Sequence, residues 1–331
     1  MKKGLRAGID LGGTKVAVGL VNEKGEIVAQ NTKPTEVKDG FEAVADRMAK
    51  QVEEACKEAK ITVKDLAGGG VAAAGQVELG TGTVLFAPNL GWTDAPLGKR
   101  LSERLGINIG VDNDVRAATL GEYLHGLDRK TRPDSFFNMY CGTGVGAGYI
   151  LHGVLLRGAG NAAGEVGHIT INHHGPKCKC GNHGCLELYA SGTGVARRAR
   201  EAIKDQPEVG AKLAEMAGGI DKVNAHTVRE ACDKGDPLAR QLVREAGRFA
   251  GIGLANIINL FNPEVLTLGG GLTNGLGEAF TSVAFATARE RALKSALAHT
   301  ELVVSRLGTR GAIIGAACLG VMAGAEIREE D

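Results

Sequence analysis

The sequence predicts a duplicated α/β fold, two similar series of strands and helices with a cleft between the halves. Three observations carry this. Two stretches, beginning near residues 5 and 135, each open with a strand, a glycine turn and a second strand. Each stretch then alternates helical and strand-like segments, the pattern of an α/β architecture. No repeat of solenoid period is present.

Residues 5–11 read as a strand, Gly12-Gly13-Thr14 is a tight turn, and 16–21 is a second strand. After a turn at 22–25, residues 27–33 make a third strand, giving an antiparallel meander. Asp39 is expected to cap a helix in which Phe41, Val44, Met48, Val52 and Ala55 recur at helical spacing. Residues 66–73 form a short buried strand, 96–105 a helix and 107–111 a strand. Asp112-Asn113-Asp114 falls at that strand's C-terminal end, and 117–123 starts the next helix.

The second half repeats the plan: strand at 136–141, glycine turn at 142–148, strand at 149–155. A Cys/His-rich insert follows. Asp236-Pro237 opens a long helix, with proline at its favoured first position, and Asn262-Pro263 stops it. Residues 265–268 are a buried strand that runs into Gly269-Gly270-Gly271. Residues 273–297 are largely helical, 302–305 form a last strand and 312–323 a last helix.

Composition bounds the function. A length of 331 residues suits two domains. Lys plus Arg is 39 against 38 Asp plus Glu, a net charge of +1, which argues against a dedicated nucleic-acid or membrane surface. A hydrophobic content of 44% excludes general disorder, and 4% aromatics argues against an aromatic-lined carbohydrate module. The 50 glycines, about twice the ~7% expectation, must mostly serve turns and close backbone approaches. No apolar run reaches the ~20 residues of a membrane span. Arg6, Asp10 and Lys15 interrupt the apolar start, which makes it a poor signal peptide and points to the cytoplasm. Cys178, Cys180 and Cys185, three of seven cysteines, crowd together as in a cytosolic metal site.

Several groups can carry chemistry. In Asp10-Leu11-Gly12-Gly13-Thr14-Lys15 the turn exposes N–H groups and a hydroxyl suited to phosphate, and Asp10 can orient a hydrated metal ion. A plain β-hairpin turn fits the same residues equally well. Gly142-Thr143-Gly144-Val145-Gly146 is the matching turn in the second half, and two such turns can grip one polyphosphate. Gly269-Gly270-Gly271 allows backbone approach to a nucleotide base or ribose, or simply a tight strand-to-helix turn. His168, Cys178, Cys180 and Cys185 offer one nitrogen and three sulfurs, a closed tetrahedral zinc set, with His173, His174 and His183 as competitors for the fourth place. Glu165 and Glu187 flank that site as hydroxyl-binding carboxylates or as solvated surface charges. Within Asp112-Asn113-Asp114 a carboxylate can serve as general base or as helix cap.

These pieces in this order resemble the ROK family of sugar kinases. The resemblance rests on Asp10 to Lys15, Pro88-Asn89-Leu90-Gly91-Trp92, Asn113-Asp114, Gly142 to Gly146, Gly164-Glu165-Val166-Gly167-His168, the cysteine knuckle through Glu187, and Gly269-Gly270-Gly271. It covers about residues 5–325. It implies an actin-like, ribonuclease H-like ATPase fold with two lobes around a cleft, a small lobe of 1–120 plus 312–331 and a large lobe of 121–311 carrying a zinc insert near 165–190. It implies ATP with magnesium, structural zinc, and a homo-oligomer, dimer or tetramer. It implies Asp114 as general base, and Gly75, Asn89, Asn113, Asp114, Glu165, His168 and Glu187 as sugar ligands. ATP would meet Asp10, Gly12, Gly13, Thr14, Lys15, Gly142, Thr143, Gly144 and Gly269 to Gly271.

Cys180-Gly181-Asn182-His183-Gly184-Cys185-Leu186-Glu187 is similar to the family's glucose-phosphorylating members, which favours glucose and glucose 6-phosphate. Two departures stand out. The family often has Pro-Gly-Pro where this chain has Ala74-Gly75-Gln76, and Glu-Asn-Asp-Ala-Asn where it has Asp112-Asn113-Asp114-Val115-Arg116. Alternative acceptors are N-acetylmannosamine, fructose or another hexose, and polyphosphate is an alternative donor. A repressor relative would carry an N-terminal helix-turn-helix, for which no room is expected before Leu5. A non-catalytic sugar sensor is countered by the intact Asp114.

Overall fold

The computed structural model describes residues 4–128 and 131–320. Strands β1 (Arg6–Leu11), β2 (Lys15–Val21) and β3 (Ile27–Pro34) form the expected meander, followed by helix α1 (Phe41–Glu58). Strand β4 (Gly69–Ala73) leads into a small antiparallel sheet of β5 (Gln76–Val77), β6 (Val84–Ala87) and β7 (Trp92–Ala95). Helix α2 (Leu97–Leu105), strand β8 (Ile109–Asn113) and helix α3 (Asp114–Gly121) follow, and α3 runs on into a π-helical turn, Glu122–Gly126.

The second series begins with β9 (Ser135–Cys141), β10 (Val145–Leu151) and β11 (Val154–Leu155). Helices α4 (Glu187–Ala190), α5 (Gly192–Asp205), α6 (Pro207–Ala217), α7 (Ala225–Asp233) and α8 (Pro237–Phe261) come next. Strand β12 (Val265–Gly269), helices α9 (Gly271–Leu276), α10 (Glu278–Arg291) and α11 (Lys294–Leu297), strand β13 (Glu301–Val304) and helix α12 (Gly311–Leu319) complete the described chain. The two large sheets have orders β3-β2-β1-β4-β8 and β11-β10-β9-β12-β13. Numbered within each series, both orders are the same, which is the duplication the sequence predicts.

The chain divides into two compact units. One holds the described residues up to Asp134, Gly148–Ala163 and those from Thr309; the other holds Ser135–Ala147 and Gly164–Gly308. The expected lobe boundary at residue 120 falls within α3, whose helical course continues to Gly126. The first unit is built on one feature of its glycines. Gly8, Gly70 and Gly110 lie in register across β1, β4 and β8. Cβ atoms added there would fall 1.9 Å from Ile313 O, 2.3 Å from Ala316 O and 2.7 Å from the carbonyl carbon of Leu319. Three missing side chains thus open a trench that lets the backbone of α12 rest directly on the sheet. On the opposite face of the sheet, Ile9, Leu11, Val18 and Val71 are fully buried, as are Met48 of α1 and Leu101 of α2.

Local differences from the expectations have identifiable causes. Asp39 does not cap α1; its carboxylate pairs with Arg47, and Gly40 with φ 84° turns the chain into the helix. The second glycine turn closes after Gly144, because Gly142 N–H donates to Gly144 O, so Gly146 and Gly148 lie inside β10. The helical stretch 273–297 is broken at Gly277, with φ 54°, and again where Leu293 N–H donates to Asn259 Oδ1. Helices α5 to α7 had no counterpart in the expected series. Residues 321–323 of the expected last helix, and 321–331 of the expected small lobe, lie outside the described residues.

Candidate functional site

In the first unit β1, β4 and β8 run parallel, and Leu11, Ala73 and Asn113 at their C-terminal ends are in register. That edge is where open α/β sheets hold ligands. Here the cap reading and the chemical reading fall on neighbouring residues. Asn113 caps α3: its side-chain oxygen accepts from Val115 N–H at 3.0 Å and Arg116 N–H at 3.3 Å, while its amide donates to Gly75 O at 3.2 Å. Asp114, the first residue of the helix, has one carboxylate oxygen 2.9 Å from Val115 N and is not needed as cap.

Burial pushes the Asp114 carboxyl up to about 6, against the lowering effect of hydrogen bonds from Val115 N–H, its own N–H and Asn113, and of the Arg116 cation. Asp10 on β1 is likewise pushed up to about 6, first by burial and then by the charge of Asp114, with Lys15 acting in the opposite direction. The two carboxyls therefore share one electrostatic environment. The turn after β1 belongs to the same cluster: a Cβ on Gly13 would lie 2.8 Å from Asn89 O. The structure thus brings Asp10, Gly13, Gly75, Asn89, Asn113 and Asp114 together. Thr14 and Lys15 are exposed beside them, and Gly12 N–H is already donated to Lys15 O.

In the second unit His168, Cys178, Cys180 and Cys185 converge, their ligand atoms all within 4.8 Å of one another. Cys178 Sγ is 3.8 Å from His168 Nδ1, and Cys180 Sγ is 3.7 Å from Cys185 Sγ. A tetrahedral zinc with Zn–S arms of about 2.3 Å needs S···S edges of about 3.8 Å, so the set fits the ion in both chemistry and spacing. His173 and His174 stack on each other, and His183 Nδ1 meets Gly175 O, so these competitors stand outside the set.

Glu187 is half-buried, with one oxygen accepting from Val145 N–H at 3.0 Å; a Cβ on Gly144 would fall 2.4 Å from that oxygen. Gly167 packs against the same residue, where a Cβ would sit 2.1 Å from Val145 O. The turn holding Glu165, which is exposed, and His168 is thereby fixed beside Glu187.

A separate pocket of about 500 Å³ lies within this unit. The ends of the parallel strands β9 and β12 supply Gly142, Thr143 and Gly271; α5 supplies Gly192, Thr193 and Arg200; and Asn224, His226 and Arg229 come from the start of α7. Its size is that of a small-molecule site. Gly144, Gly269 and Gly270 do not line it; Gly270, with φ 104°, instead packs its backbone on Cys141. Sequence reasoning missed Arg200, Asn224, His226 and Arg229. The one local signal was the capping box of Asn224 and Thr227, which marks a helix start and not a ligand.

The sequence profile of the ROK family matches residues 6–322. A glucokinase of Streptomyces coelicolor is 34% identical over 96% of this chain and 97% of its own length. A glucokinase of Thermotoga maritima is 33% identical over 94% and 96%. A xylose repressor of Caldicellulosiruptor bescii is 31% identical over 93% of this chain but 76% of its own length. The crystal structure of a ROK family glucokinase from Streptomyces griseus, in complex with glucose and AMPPNP, superposes with a TM-score of 0.83 at 34% identity, covering 96% of this chain and all of that one. The fold is the actin-like ATPase fold of those enzymes. Among the described residues no helix is long and apolar enough to cross a membrane. The duplicated sheets, the Asn113 and Asp114 turn, the histidine and cysteine knuckle and these likenesses converge on one statement: the chain belongs to the ROK family.

Proposed function

We propose that this protein is an ATP-dependent sugar kinase that converts glucose to glucose 6-phosphate. The observation that carries the reading is Asp114. It is a carboxylate at the C-terminal edge of a parallel sheet, released from capping duty by Asn113, with burial pushing its carboxyl to about 6. That value suits a general base near neutral pH, which takes the proton of the attacking sugar hydroxyl. Asn113 beside it, with Gly75 and Asn89, would meet further hydroxyls of the sugar, a role the family resemblance also implies for Glu165, His168 and Glu187.

In this reading the nucleotide occupies the pocket of about 500 Å³, within the range of small-molecule sites. Gly12, Gly142 and Val145 donate their N–H groups within the protein, which leaves Thr143 and Gly144 in the second unit, and Gly13 and Thr14 in the first, as the proposed phosphate ligands of each turn. Asp10 fits as the group that holds hydrated magnesium, since a cation relieves its repulsion with Asp114. Magnesium, when bound, neutralises phosphate charge. His168, Cys178, Cys180 and Cys185 would hold zinc, which supplies rigidity to the turn carrying Glu165. The protein's own contribution is alignment of donor and acceptor and exclusion of water.

Glucose as acceptor is supported by the likeness to glucokinases at 33–34% identity. The test is an ADP-release assay with ATP, magnesium and a panel of hexoses. Strong turnover of glucose with little for fructose or N-acetylmannosamine is expected. Strong turnover of another hexose would overturn glucose and keep the kinase; no turnover by zinc-loaded protein would overturn the kinase. The family resemblance supports a homo-oligomer, which sedimentation of the zinc-loaded protein tests.

A further inference from the structure

Two arginines converge on one buried carboxylate beside the proposed base. Asp112 and Arg116 are 2% and 4% exposed. Asp112 Oδ1 accepts from Arg116 Nε at 2.7 Å and from Asn113 N–H at 2.8 Å, and Asp112 Oδ2 accepts from Arg157 at 2.8 Å. Charge pairing needs only one of these cations. The second guanidinium does something else: Arg116 Nη1 donates to Asn161 O at 2.8 Å. Asn161 stands in the left-handed region at φ 51°, and its side-chain amide donates to Val77 O. Val77 is two residues past Gly75, whose carbonyl accepts from Asn113. The contacts close a ring: base turn, Arg116, the 157–161 loop, the strand after Gly75, and back to the base turn.

The ring thus joins Asp112 and Arg116 at the base turn to the strand after Gly75. The loop it holds continues within three residues into Gly164 and Glu165. We propose that Arg116 is a positioning residue that sets sugar affinity, by tying the Asn113 and Asp114 turn to the 157–161 loop and to the Gly75 strand. The assignment rests on the sugar-kinase reading. A guanidinium can span two acceptors at fixed angles, whereas an ammonium is a single point of charge. Asp112 keeps Arg157 as partner when Arg116 is changed, so Arg116 variants retain a balanced ion pair and are expected to fold.

The experiment compares Arg116→Gln and Arg116→Lys with the zinc-loaded wild type. Hexose KM should rise about 10- to 100-fold in both, the scale for loosening a supporting contact, with the KM for ATP within about two-fold. Hydrogen exchange should quicken at the amides of Asn161 and Ala163, which close the loop through Gly158 O and Arg157 O, and stay unchanged around Cys178 to Cys185. If Arg116→Lys restores both KM and exchange to wild type, charge alone suffices and the proposal fails. It also fails if neither variant moves hexose KM. A wild type inactive on every hexose would overturn the kinase reading instead, and the exchange data would still judge the tie.

Discussion

The base turn and the cysteine knuckle solve one problem, rigidity, by different means. At Asn113 and Asp114 the geometry is held by the protein's own bonds: a capped helix, a doubly paired carboxylate and strands in register. From His168 to Cys185 there is little regular structure, only short turns and two isolated bridges, and four ligand atoms point at one spot. The first region is complete without an ion. The second sets one nitrogen and three sulfurs where a metal such as zinc can tie them together. Rigidity drawn from internal bonds survives chelation; rigidity drawn from a metal does not.

The sharpest break in this comparison is Asp114→Asn. Turnover should fall by about 10²–10⁴, the usual range for a general base, while calorimetry still detects hexose binding. Retention of most turnover would remove Asp114 from the role. Next in size is the metal. Cys180→Ser should release about one equivalent of zinc and raise hexose KM by about 10- to 100-fold, leaving the pH profile of kcat unmoved. An unchanged metal content would strike Cys180 from the ligand set.

The pH dependence sharpens the contrast from the other side. Asp10 and Asp114 are both raised from 3.8 to about 6. Turnover should therefore decline as pH falls through about 6. For stability the sign is opposite. A raised carboxyl contributes stability that is full below the unfolded value near 3.8 and is lost as pH rises through about 6. Asp10→Asn should thus stabilise the ligand-free protein by about 1–3 kcal/mol at pH 8 and by almost nothing at pH 3. Equal effects at both pH values in urea unfolding would refute the shift. The smallest effect is Glu187→Gln, which keeps the shape but weakens the bond from Val145 N–H, at about 1 kcal/mol in the same measurement.

These two regions were unequally legible in the sequence. Ligand spacing revealed the knuckle because its four residues lie within eighteen positions and soft-ligand chemistry is specific. The base turn was ambiguous, since Asp and Asn both cap helices; only the fold shows Asn113 capping and Asp114 spared. The meander and the duplicated order were readable from period and glycine placement. The pocket wall of Arg200, Asn224, His226 and Arg229 was not. Those residues sit on α5 and near the start of α7, far in sequence from the Gly142 turn, and nothing local marks them as neighbours. The ring through Arg116 escaped for the same reason: its partners at 77, 157 and 161 meet only in three dimensions.

The glycine trench across β1, β4 and β8 has a consequence for how the chain is made. Synthesis proceeds from the N-terminus, so the trench emerges from the ribosome early and its occupant, α12, late; Arg6 and its contact Cys318 are separated by 312 positions. Gly164–Gly308 is one continuous stretch and can mature while translation continues. The first-born strands must wait with an open floor for α12. The half of the protein that carries the proposed base cannot close its core before α12 has emerged, and the interval until then is when a chaperone would find it exposed.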